Sequence, residues 1–68
     1  MVNINQQLGR KIKQIREGQG LSQEEIAFRA KLDYSYFNQV ENGRRNPSVG
    51  VLDRIAKALG VSIKDLFD

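Results

Sequence analysis

The chain has 68 residues, a net charge of +3, no cysteine and no histidine. That length suits one domain over residues 1–68, and the two missing residue types exclude disulfides, zinc fingers and nucleophile systems built on cysteine or histidine. A domain this small buries only about 60% of its unfolded surface, so regular helix packing and self-association are the supports left to it.

The longest apolar runs span a few residues, too few to cross a bilayer, and the first residues lack the apolar stretch of a secretory signal. A cytoplasmic protein is therefore expected. The first twenty residues carry Arg10, Lys11, Lys13 and Arg16 against Glu17 alone, while the remainder balances seven basic against seven acidic side chains. A modest basic excess suits a polyanionic partner without demanding one.

Ile4, Leu8, Ile12 and Ile15 fall at helical spacing and predict a first helix, capped by Asn3 or Asn5 and ending near Gly18 and Gly20. Ser22-Gln23-Glu24-Glu25 has the form of a capping box, with Leu21 and Ile26 as its hydrophobic staple. A short second helix follows and ends near Ala30 or Lys31. Asp33 is placed to cap a third helix from about Tyr34 to Glu41, which buries Phe37 and Val40 and stops at Asn42-Gly43. The segment Gly43-Arg44-Arg45-Asn46-Pro47 reads as a polar loop, and Ser48 caps a fourth helix with Val49, Leu52, Ile55, Ala56 and Leu59 on one face. Gly60 ends it. Val61, Ile63, Leu66 and Phe67 supply the apolar surface of a last short helix, with Ser62 and Asp65 as a looser capping pair. The fold expected is all-α, with five helices.

Two short capped helices joined by about three residues, over roughly 22–42, form a helix-turn-helix. The major groove of B-DNA is about 12 Å wide and admits one α-helix, and the second helix of such a pair points its first residues at base edges. The chemistry of an enzyme is not in view. There is no histidine, no cysteine, no glycine-rich phosphate loop and no cluster of metal ligands, and the adjacent Glu24 and Glu25 diverge on their helix. No cofactor or metal is expected.

Five segments in order resemble the Xre family, the helix-turn-helix domains of phage Cro and repressor type. They are Leu21-Ser22-Gln23-Glu24-Glu25-Ile26-Ala27, Leu32-Asp33-Tyr34-Ser35-Tyr36-Phe37, Val40-Glu41-Asn42-Gly43, Asn46-Pro47-Ser48, and Ile55-Ala56-Lys57-Ala58-Leu59-Gly60-Val61-Ser62. Together they span roughly residues 7–67. The resemblance implies a lambda-repressor-like fold of five helices and transcriptional regulation through sequence-specific binding to double-stranded DNA. It also implies a two-fold dimer on near-palindromic operators, in a bacterium or its phage. Leu32-Asp33, Ser35-Tyr36 and Arg44-Arg45-Asn46-Pro47-Ser48 have some likeness to the controller proteins of restriction–modification systems, among several kinds of small regulator.

Residue by residue, the resemblance puts Gln23 where the family's glutamine bonds a phosphate and braces the recognition helix. It puts Tyr34, Ser35, Asn38 and Gln39 on the groove-facing positions of helix 3 and Tyr36 at the groove edge. Asn42, Arg44 and Arg45 fall on the loop that grips the backbone, and Arg16 and Glu41 on a salt bridge from helix 1 to helix 3. The side-chain types suit these roles. Asn and Gln can form two bonds with the N6/N7 edge of adenine, so the half-site is expected to lean towards A·T, and arginine neutralises phosphate without reading sequence.

The chain also departs from the family. Lys31 stands at a turn position usually held by glycine or asparagine, so either it adopts the left-handed conformation or helix 2 runs on by one residue. Tyr34 replaces a basic or small polar residue, and Gly50 replaces a better helix former. A second reading keeps the fold as an antitoxin-like module that binds a protein, with DNA contact secondary. Self-association, if it follows the family, uses the C-terminal helix through parts of Ile63, Leu66 and Phe67.

Overall fold

The computed structural model describes residues 3–67. Four α-helices run in chain order: α1 (Ile4–Gly18), α2 (Gln23–Ala30), α3 (Tyr34–Glu41) and α4 (Val49–Leu59). The expected fifth helix is instead a single 3-10 turn, Ile63–Leu66. Its bonds run from i+3 to i: Asp65 N–H donates to the Ser62 carbonyl at 2.9 Å and Phe67 N–H to that of Lys64 at 3.0 Å. The two inward residues, Ile63 and Leu66, are three apart, which matches three residues per turn.

Each α-helix begins on a side-chain cap. Asn3, not Asn5, caps α1 by accepting from the Asn5 N–H at 2.8 Å. The Ser22 box is complete, with Glu25 N–H donating to Ser22 Oγ and Ser22 N–H donating to Glu25 Oε1, both at 3.1 Å. Asp33 accepts from Tyr36 N–H and Ser48 from Val51 N–H, each at 3.2 Å. These bonds satisfy donors that a helix start leaves open, and each contributes on the order of 1 kcal/mol.

The core draws on every element. Ile12, Ile26, Phe37 and Ile55 are fully buried, with Leu8, Val40, Leu52, Leu59 and Leu66 around them. Ala27, Ala30 and Ala56 are small and buried, which lets α2 lie close on α4. α1 packs across α3, and the 3-10 turn closes the core over α4 and α1.

Two backbone features set the position of α3. A Cβ built on Gly9 would lie 2.4 Å from the Val40 carbonyl oxygen and 2.5 Å from that of Glu41, so α1 meets the end of α3 backbone to backbone. At the other end, Lys31 takes the left-handed conformation, with φ 58° and ψ 44°, and α2 stops at Ala30. Arg54 reaches over from α4 to hold this turn. Its Nε donates to the Ala30 carbonyl at 2.8 Å and its Nη2 to the Lys31 carbonyl.

Candidate nucleic-acid interface

α3 is fixed from beneath by a buried ion pair. Arg16 donates from Nε to Glu41 Oε2 at 2.6 Å and from Nη2 to Oε1 at 3.1 Å, while Nη1 donates to the Leu21 carbonyl at 2.7 Å. The side chains are 9% and 1% exposed. The hydrogen bonds to Glu41 raise the Arg16 pKa above its ordinary value and outweigh the opposing effect of burial. Among the described residues, no buried side-chain nitrogen or oxygen lacks a partner. A buried charge pair is tolerated only when its remaining bonds are met in this way.

From Glu41 a chain of amides leads outward. Gln23 Nε2 donates to Glu41 Oε1 at 2.8 Å, Asn38 Nδ2 donates to Gln23 Oε1 at 3.1 Å, and Asn42 Nδ2 donates to Asn38 Oδ1 at 3.1 Å. The brace expected of Arg16 and Glu41 therefore extends from Glu41 through Gln23 of α2 to Asn38, back on α3. Asn38, expected to face bases with its whole amide, has both ends of that amide bonded within the protein.

The outer surface of α3 carries the other expected residues. Tyr34 is half exposed and Ser35 exposed in the first turn, with Gln39 just over one turn further along. Arg45 folds back from the following loop. Its Nε donates to Gln39 Oε1 at 2.6 Å, and its guanidinium carbon sits 5.9 Å from the centre of the Tyr36 ring, within the range of a cation–π contact. Arg44 is exposed on the same loop. Arg10 and Lys13 of α1 join Gln6, Glu41 and Asn42 in a shallow cleft of about 280 Å³, so the basic surface continues from α1 towards the loop. No motif marks Arg10 or Lys13 as a site residue, although the basic first twenty residues already contain the signal.

The C-terminal residues divide. Leu66 is 1% exposed and belongs to the core, so it is not available to a partner as expected. Ile63 is half-buried and Phe67 is 56% exposed. An open concavity of about 640 Å³ between α2 and α4 is lined by Arg29, Lys31, Arg54 and Lys57 over Ala30 and Ala58. Arg54 spends two donors on the α2–α3 turn, and Lys57 pairs with Asp53 at 3.1 Å. No helix among the described residues is long and apolar enough to cross a membrane.

A capped helix pair, a second helix braced by a buried charge and a basic loop beside it define a DNA-binding domain of the helix-turn-helix class. The helix-turn-helix family matches residues 12–66, and the chain belongs to that family, in its Xre type. It is 43% identical over 67 residues to control protein C.BamHI of Bacillus amyloliquefaciens, covering 97% of this chain and 83% of that one. To control protein C.MunI of a Mycoplasma species it is 40% identical over 68 residues, covering 98% and 92%. The solved structure of the restriction–modification controller protein C.AhdI from Aeromonas hydrophila superimposes with a TM-score of 0.91 at 38% identity, covering 93% of this chain and 96% of that one. The protein is a DNA-binding transcriptional regulator.

Proposed function

We propose that the chain acts as a controller-type regulator, a homodimer that binds a near-palindromic operator and adjusts transcription of a restriction–modification system. Two control proteins match nearly its whole length, and they carry this reading beyond the family. The observation that carries the site is the bracket from Arg16 through Glu41 and Gln23 to Asn38. It holds α3 rigid while leaving Tyr34, Ser35 and Gln39 on its outer side.

In this reading the whole of residues 1–68 is one DNA-binding unit, cytoplasmic and without catalysis of its own. Tyr34, Ser35, Asn38 and Gln39 face base edges in the major groove. Gln23, Tyr36, Asn42, Arg44 and Arg45 meet the backbone. Ile63 and Phe67 form the apolar part of the contact between protomers, and the recognition helices then stand about 34 Å apart, one turn of DNA. Selection of sites from random duplex DNA, followed by titration at two salt concentrations, tests the proposal. An inverted repeat bound with a steep salt slope is expected. Weak, sequence-blind binding overturns it in favour of the protein-binding module.

A further inference from the structure

The amides on α3 are not free to turn. Glu41 only accepts, so the group Gln23 shows it must be the N–H₂ end. That leaves the Gln23 oxygen to meet Asn38, which must answer with its own N–H₂, and the Asn38 oxygen in turn takes the N–H of Asn42. The carboxylate at the buried end thus sets the direction of three consecutive amides. Gln39 is oriented separately by a cation. The guanidinium of Arg45 has only donors, so the Gln39 oxygen faces it.

The same polarity results at both positions. Both oxygens already accept a bond from within the protein. The N–H hydrogens left over, one on Asn38 and two on Gln39, have no further partner among the described residues, while each oxygen keeps one lone pair beside the donor it already holds. The two-bond contact with adenine needs the oxygen and an N–H of one amide side by side at the N6/N7 edge. That approach would require each oxygen to accept a second donor alongside the one it holds, Asn42 for Asn38 and, for Gln39, the Arg45 guanidinium in a 2.6 Å charge-assisted bond.

We infer that α3 reads DNA as a hydrogen-bond donor at Asn38 and Gln39, so that these side chains seek acceptor edges: N7 of a purine, O6 of guanine, or O4 of thymine. This rests on α3 lying in the major groove as proposed above, and it replaces the two-bond contact with adenine that the residue types alone suggest. Tyr34 and Ser35 remain free to read other positions.

The test pairs two alanine variants with altered DNA read by the unaltered chain. Asn38→Ala and Gln39→Ala first locate the base pairs whose preference each side chain controls. Those base pairs are then replaced, one atom at a time, in the selected operator. Removing the purine N7 or the thymine O4 there weakens binding by about tenfold, the order expected for one lost specific contact. Removing the exocyclic amino group of adenine or cytosine changes it less than twofold. A loss of about tenfold from deleting the adenine amino group at either position overturns the donor assignment while leaving the groove placement intact. If neither alanine variant relaxes any base preference, the two residues are not readers and the inference fails, while a preference relaxed by Ser35→Ala would still keep α3 in the groove.

Discussion

Arg16 and Glu41 stand 25 positions apart, yet they meet through two hydrogen bonds beneath the recognition helix, with Glu41 almost wholly buried. The pair joins α1 to the last residue of α3. Because Glu41 also accepts from Gln23, one carboxylate ties three helices together.

Removing either partner strands the other charge in the core. Arg16→Ala or Glu41→Ala is expected to cost about 3–5 kcal/mol, the range for breaking a buried pair. A domain of this size loses about 4–8 °C in Tm for each 1 kcal/mol, so thermal unfolding followed by circular dichroism should show a drop well above 10 °C or no folded state. Arg16→Lys should recover little, because an ammonium group cannot supply the fork that serves Glu41 and the Leu21 carbonyl together. A Tm within a few degrees of the parent for Arg16→Ala would remove the pair from its structural role.

Gly9→Ala tests the close crossing of α1 and α3. Alanine is the better helix former by about 1 kcal/mol, so on propensity alone the change should stabilise. The added carbon instead meets two backbone oxygens that have no side-chain freedom to move. Overpacking of this kind costs about 1–3 kcal/mol and outweighs the gain. Urea denaturation should show a lower midpoint with an unchanged slope. A raised midpoint would mean that the helices part without cost.

Much of this was legible in the residues themselves. Ser22 with Glu25, Asp33 and Ser48 announce three helix starts because a cap is a local bond between neighbours in sequence. The core followed from apolar spacing for the same reason. Gly9 gave no such signal: its need comes from the carbonyls of Val40 and Glu41, more than thirty residues away. Arg54 was equally silent, since a charged residue on the polar side of a helix looks like any solvated one until the turn it holds is in place. The last helix is a 3-10 turn, which the apolar spacing does not reveal because four residues do not separate a period of 3.0 from 3.6. For Asn38 the residue type promised an adenine contact, but the bonds of its amide depend on a carboxylate reached only through Gln23.

Lys31 and Arg54 make opposite predictions at one turn. A left-handed conformation costs a residue with a Cβ about 1–2 kcal/mol, so Lys31→Gly should relieve most of that and raise Tm by several degrees. Arg54→Met keeps part of the stem but removes both bonds to the Ala30 and Lys31 carbonyls. It should destabilise by about 1–3 kcal/mol. Amide hydrogen exchange adds a local reading: in Arg54→Met the Lys31 and Leu32 amides, which close the end of α2, should lose protection before those of α1. Uniform loss across all helices would instead place Arg54 in global stability.

Arg10, Lys13 and Arg44 separate backbone contact from base reading. All three side chains are exposed, and two of them line the cleft next to Asn42. A cation that neutralises one phosphate contributes a slope of about −0.9 to the dependence of log affinity on log salt. Each alanine variant should therefore weaken operator and random DNA by the same factor and flatten the salt dependence by about one unit. Ser35→Ala should do the reverse, relaxing preference at one base pair with the salt slope intact. Fluorescence anisotropy at several salt concentrations, on operator and on scrambled duplex, distinguishes the two patterns. For Arg10 and Lys13 the result decides how wide the footprint is. An unchanged slope would confine phosphate contact to α2, α3 and the loop, and a flattened one would carry it on to α1.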